Sequence, residues 1–150
     1  MSSGMELDSA IHTRIQALCA DGDRFAGNAK YEQAISKYNE AWKLVPEPPT
    51  KWNASTWILA AIADASFLGG YHTSAIEALE YAMHCPKAIG NPFLHLRLGQ
   101  CYFEKGALDR AAEELARAYA IEGKKIFESD SPKYFDFLKT RIKPPASGNW

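Results

Sequence analysis

The chain has little that would mark a catalyst, a membrane protein or a disulfide-built scaffold. Only three of its 150 residues are cysteine: Cys19, Cys85 and Cys101. They are odd in number and widely spaced, with no CxxC pair, so neither a disulfide framework nor a zinc ribbon is indicated. A reducing, cytoplasmic setting is the simplest expectation. Charge of one sign is lacking too. The 17 basic and 18 acidic residues leave a formal net charge of -1, so no global field draws the chain to nucleic acid or to an anionic membrane. The longest apolar run, Trp57 to Ala63, stops at Asp64. A membrane span needs roughly 18 such residues. The opening MSSGMELDSA has neither the basic nor the apolar region of a signal peptide.

Reaction motifs are missing as well. No Walker loop, GxGxxG, HExxH or GxSxG occurs. No catalytic residue, metal ligand or cofactor is therefore assigned, and the expectation is a chain that is not an enzyme. His84 and Cys85 are adjacent, so on a helix they point different ways, and no second pair stands at ligand spacing. Cys101 reads as a small core residue and His95 as a packing or groove residue. Asp64 is the one isolated charge in WILAAIADASF, suited to a solvent-facing or capping role or to a partner's basic group.

What the sequence does contain is helical rhythm. Ile11, Ile15, Leu18 and Cys19 share one helix face, and Tyr31, Ala34, Ile35, Tyr38, Ala41 and Trp42 share another. Pro46, Pro48 and Pro49 end the second helix. A third opens with Asn53 or Ser55 as its cap, is apolar around most of its circumference, and closes on Gly69-Gly70. A fourth runs from about Thr73 to Pro86. Gly90-Asn91-Pro92 breaks the chain, and two more helices divide at Gly106. Ser131 then reads as an N-cap with Pro132 at the first helical position. Residues 1–7 and 144–150 are expected to be a disordered or tag-like start and a flexible tail. Seven helices result, in three antiparallel pairs and a single last one.

The pairs repeat. Their second helices carry Ala34-Tyr38-Ala41, Ala75-Leu79-Ala82 and Ala111-Leu115-Ala118, each Ala-x3-large-x2-Ala. Ahead of the third lies LGQCYFEKG, with Leu98-Gly99, Tyr102 and Gly106. The first copy has Gly22, Phe25, Tyr31 and Pro46. The second has Ala63 and Ser66 where glycine and an aromatic would stand, and its gap before Ala75 counts one residue off. Ala34 to Ala75 spans 41 residues and Ala75 to Ala111 spans 36, so the junctions carry insertions. This set resembles the tetratricopeptide repeat, a helix pair of about 34 residues, over roughly four-fifths of the chain. His95 stands where that pattern often has Trp.

The resemblance implies an all-α solenoid. One repeat domain would span 8–143, with repeats at about 15–48, 56–87 and 92–125 and a capping helix at 131–143. That last helix has Phe135, Leu138 and Ile142 on one stripe, with Tyr134 and Phe137 beside it, suited either to closing an apolar end face or to docking a partner. Gly99, Ala111 and Ala118 would be small because another helix lies against them.

In this family the first helices of the repeats line a concave surface. Carried over residue by residue, that surface takes Gln16, Cys19, Asp23 and Ala26 from the first repeat. The second contributes Trp57, Ala60, Asp64, Phe67 and Leu68, and the third Phe93, Leu96, Gln100, Phe103 and Glu104. The resemblance thus implies a partner-binding groove that is apolar and aromatic, with acid at its edges. The Lys, Asn and Arg clamp by which some relatives hold a chaperone's C-terminal carboxylate is not found. The alternative is that some of these rings pack under the last or first helix.

The function implied is binding of a protein or peptide partner. The chain resembles small stand-alone bacterial repeat proteins, some of which are dedicated chaperones, as in type III secretion, or immunity partners of secreted toxins. A general scaffold or a regulatory accessory subunit of an enzyme complex is the alternative. Homodimerisation through exposed end faces is left open.

Overall fold

The computed structural model describes residues 4–150, and every regular element among them is helical. The α-helices are α1 (Ser9–Gly27), α2 (Tyr31–Trp42), α3 (Asn53–Leu68), α4 (His72–Ala82), α5 (Pro92–Glu104), α6 (Leu108–Glu122) and α7 (Pro132–Lys139). Single 3-10 turns lie at Pro49–Lys51 and Lys124–Phe127. The chain forms two compact units, one running to Ile89 and the other Gly90–Trp150. In the first, α1 pairs with α2, α3 with α4, and α2 also packs on α3. In the second, α5 pairs with α6, and α7 lies against α6.

Three hairpins share one backbone plan. Ala29, Gly70 and Gly106 each precede the first alanine of the following helix by five residues, and their φ angles are +58°, +86° and +79°. A left-handed residue is what turns the end of one helix into the start of the next. The second repeat is therefore in register with the others, not one residue off: Gly70, rather than Gly69, holds the left-handed position. Twelve residues before the same alanines stand Gly22, Ala63 and Gly99. A Cβ on Gly99 would lie 2.7 Å from Leu115 Cγ and 3.0 Å from the Leu115 backbone nitrogen. One on Gly22 would lie 2.5 Å from the Tyr38 ring. The glycines let α1 and α5 approach their partner helices more closely than any side chain would allow. Interior alanines and leucines fill what remains: Ala34, Ala75, Ala111, Leu79 and Leu115 are fully buried. Each such leucine contributes roughly 1.5–3 kcal/mol.

Side chains cap three of the seven α-helices, α1, α5 and α7. Asp8 Oδ1 accepts from the Ala10 and Ile11 amides at 3.0 and 3.2 Å. Asn91 Oδ1 accepts from the Phe93 and Leu94 amides at 3.0 and 3.3 Å, with Pro92 first in α5. Ser131 caps α7 as expected, accepting from the Lys133 amide at 3.5 Å. The start of α3 corrects the sequence reading, because neither Asn53 nor Ser55 caps it. The Asn53 amide group donates to Glu6, and the Ser55 hydroxyl donates to the Pro49 carbonyl. Both side chains tie the preceding loop and the N-terminal segment to the helix.

Both chain ends are tied down more than expected. Residues 1–3 lie outside the described range. Met5 forms a parallel bridge with Trp52: its amide donates to the Lys51 carbonyl at 2.9 Å, and its carbonyl accepts from Asn53 at 3.0 Å. Leu7 is buried in the core of the first unit. The start is thus not disordered through residue 7, because backbone pairing and one buried leucine hold it. At the other end α7 stops at Lys139, short of 143, and a turn follows in which the Arg141 amide donates to the Leu138 carbonyl at 2.8 Å. The tail is not free, since the Trp150 ring packs on Tyr119 and Phe135.

Candidate functional site

The expected groove residues fall into an open group and a closed group. Trp57, on the second turn of α3, is 38% exposed, and its indole meets the His12 ring edge-on at 6.3 Å. Ala60, Asp64 and Phe67 follow on α3 at helical spacing and are half-buried, and Leu68 is exposed. Phe67 meets the His72 ring at 5.6 Å. These side chains form one stripe of the first unit, apolar but for Asp64, because the opposite face of α3 buries Ile58, Leu59 and Ile62 in the core. A helix that is apolar nearly all round is built to pack on more than one side, and α3 nonetheless leaves Trp57 and Leu68 exposed.

The first helix contributes less to this stripe than expected. Cys19 is buried in the core, and burial, helped by the Asp23 charge, pushes its thiol up to about 11. Asp23 accepts a 2.6 Å hydrogen bond from the Tyr38 hydroxyl. Burial first, then that bond, then the charges of Asp23, Cys19 and Asp64 hold the Tyr38 phenol well above its usual range. Gln16 is exposed and Ala26 half-buried.

In the second unit Phe93 is 38% exposed, with the Arg97 guanidinium 5.2 Å over its ring. Leu96 and Gln100 are buried. Gln100 Oε1 accepts from Arg97 Nη1 at 2.7 Å, and the same Arg97 nitrogen lies 3.7 Å from Asp130 Oδ1. Phe103 is half-buried against α7: its ring lies 5.5 Å from Tyr134 and 5.1 Å from Phe137. The Tyr134 hydroxyl donates to Glu104 at 2.6 Å, and the Lys133 ammonium lies 2.7 Å from the same carboxylate. So α7 covers this end of α5 with rings and an ion pair, as the alternative reading of the groove anticipated.

His95, the Trp substitute of the third repeat, is a bracket. Its Nε2 accepts from the Gly90 amide at 2.9 Å, and its Nδ1 lies 2.7 Å from Glu114 Oε1. That pairing fixes the proton on Nδ1 and ties the entry of α5 to α6. His84 packs on Tyr81, and the Cys85 thiol points to the Tyr81 carbonyl at 3.8 Å. The two adjacent residues therefore both serve the end of α4.

Arg97 and His12 carry no local signal in the sequence. Arg97 had no signal beyond its place in a mostly apolar α5. His12 lies on a helix 45 residues from Trp57, and only the tertiary fold makes them neighbours.

No family model and no curated protein matches the chain. Solved structures do. The first tetratricopeptide-repeat domain of Spaghetti (RPAP3), bound to the HSP90 peptide SRMEEVD, is similar with a TM-score of 0.64 at 16% identity, over 91% of this chain and 94% of that one. The Yersinia enterocolitica type III secretion translocator chaperone SycD is similar with a TM-score of 0.61 at 17% identity, over 84% of this chain and 88% of that one. Three helix hairpins in a common register, small residues at their crossings and these likenesses make one conclusion: the chain has the tetratricopeptide-repeat fold.

Proposed function

We propose that the chain binds a segment of a protein partner through the outward stripe of α3, with Trp57 as the anchor and Phe67 and Ala60 beside it. The observation that carries this is the exposure of Trp57. An indole left 38% exposed, held by His12 and followed by an apolar stripe, is the kind of side chain that dominates binding energy at interfaces.

Cys19, Asp23, Leu96, Gln100 and Phe103 support the surface rather than form it in this reading. The thiol and Leu96 are buried, and Asp23, Gln100 and Phe103 are committed to Tyr38, Arg97 and α7. Of the two similar structures, one is bound to an acidic peptide and the other is a translocator chaperone. An aromatic stripe suits an apolar anchor better than a string of carboxylates. We therefore favour a dedicated chaperone or immunity partner of one secreted bacterial protein over a general adaptor. The test is capture from host lysate by wild type and by Trp57→Ala/Phe67→Ala, read by mass spectrometry. One dominant protein lost from the variant is expected. Equal capture by both overturns the α3 site, and many weak proteins lost together favours an adaptor.

A further inference from the structure

His95 faces two groups that make opposite demands on it. Its Nε2 accepts from the Gly90 amide at 2.9 Å, and its Nδ1 lies 2.7 Å from Glu114 Oε1. A neutral imidazole serves both, donating from Nδ1 and accepting at Nε2. An imidazolium has two donors and no acceptor, so it suits the carboxylate and not the amide. Histidine is also the side chain whose charge changes between about pH 5 and 8.

The two sides are not equally able to yield. The ring is 5% exposed and the Glu114 side chain 13%, so a charge formed on the ring depends on that carboxylate more than on water. Gly90 is exposed, with φ +91°, and a Cβ built on it would meet nothing within 4 Å. Its amide can turn to water, and its backbone has room to do so. Firm points stand on either side, since Ala88 is fully buried and Asn91 caps α5. The loose piece is therefore Ile89 and Gly90, both exposed, where one compact unit ends and the next begins. Of the charged groups around the ring, Glu114 faces it from α6 and holds Arg117 on its other oxygen. Arg97, two residues along α5, is turned to Gln100 and Asp130, and Lys87, in the joint, is exposed.

We propose that His95 is a proton-operated latch on the joint between the two units. Neutral, it holds Gly90 to α5. On gaining a proton at Nε2 it keeps Glu114, sets a donor against the Gly90 donor, and releases Ile89 and Gly90. Acid thereby loosens the joint while α5 and α6 stay paired. The latch is built from residues of the second unit and does not depend on the α3 stripe.

The test follows the full chain, labelled with nitrogen-15, by NMR from about pH 8 to about pH 5. At the upper end the Nδ1–H tautomer and a nitrogen–nitrogen coupling between Gly90 N and His95 Nε2 are expected. The coupling should vanish along the ring's own titration. Protection of the Gly90 amide, corrected for the intrinsic pH dependence of exchange, should fall about tenfold with it, while the Leu98 and Leu115 amides keep theirs. His95→Gln offers an acceptor that does not titrate, so Gly90 should stay protected throughout. Glu114→Gln removes the charge that favours the imidazolium, and release should move down by about one pH unit or more. A coupling that survives protonation of the ring, a ring that stays neutral to the lower end, or Gly90 loosening in His95→Gln as in wild type would each overturn the latch. So would loss of Leu98 and Leu115 protection at the same midpoint, because the helix pair would then be opening as a whole.

Discussion

The first and third hairpins solve the same packing problem with different chemistry. In both, a glycine twelve residues ahead of an alanine brings two helices together. Over Gly99 the facing side chain is Leu115, wholly apolar and fully buried. Over Gly22 it is Tyr38, whose ring fills the same gap and whose hydroxyl must then find Asp23. In the third hairpin the polar work has moved to His95, which links Gly90 and Glu114. The turns differ too: Gly106 takes its left-handed angle freely, while Ala29 takes +58° with a Cβ. The backbone plan is thus common, and each hairpin meets its polar and conformational costs in its own way.

The largest effect should come from the glycine that is most enclosed. Gly99→Leu places carbon on Leu115 and on its backbone, and overpacking of this kind costs on the order of 1–3 kcal/mol. In a chain of this size that lowers the melting temperature by about 2–4 °C per kcal/mol. An unchanged melt would break the shared plan at its centre. His95→Leu comes next. It removes an acceptor from the Gly90 amide and a donor from the half-buried Glu114 carboxylate, with an expected loss of about 1–3 kcal/mol. Glu114 keeps Arg117, which holds the loss toward the lower end.

Tyr38→Phe should cost less, about 0.5–1.5 kcal/mol, because Asp23 is exposed and can turn to water. A loss as large as that of His95→Leu would mean that the two hairpins are more alike in their polar packing than described. Ala29→Gly sharpens the contrast in the turns. It relieves left-handed strain of roughly 1–2 kcal/mol but loosens the unfolded chain by about 0.4–1 kcal/mol. A small gain is expected, where Gly106→Ala should give a loss. A gain from both, or a loss from both, in a calorimetric melt would contradict the assignment of equivalent turns.

The thiols distinguish the hairpins by pH. Burial raises Cys101 to about 12, with Arg97 lowering it somewhat and Glu104 raising it, and raises Cys19 to about 11, both from an ordinary 9.0. The unfolded thiol ionises first, so above that ordinary value the unfolded state binds fewer protons and stability falls with rising pH. This contribution is fully present below about pH 9 and is lost toward 11 and 12. Alkylation at pH 8 should accordingly be slow for both in the native chain and fast in urea. Fast native alkylation of Cys101 would mean that α5 is less enclosed than its burial implies.

Much of this was legible because it repeats or punctuates. The Ala-x3-large-x2-Ala rows, the prolines, Gly106 and Ser131-Pro132 are local signals, and each stands where the residue's own conformational preference puts it. Pairings distant in sequence were not legible. Asn53 and Ser55 look like caps until Glu6 and the Pro49 carbonyl claim them. Met5 pairs with Trp52 across 47 residues. The groove suffered in the same way: Phe67 and Phe103 hold equivalent positions in their repeats, and only the fold shows that α7 covers Phe103.

Two aromatic side chains of one hairpin offer the most direct test of the α3 site. Trp57 on α3 is 38% exposed, and Tyr81, near the end of α4, is 39% exposed. A photoreactive benzoylphenylalanine placed at either position meets water equally, so a difference in crosslinking reports where the partner lies. The account predicts an adduct with the captured partner from position 57 and none from position 81. An adduct from 81 and none from 57 would contradict it.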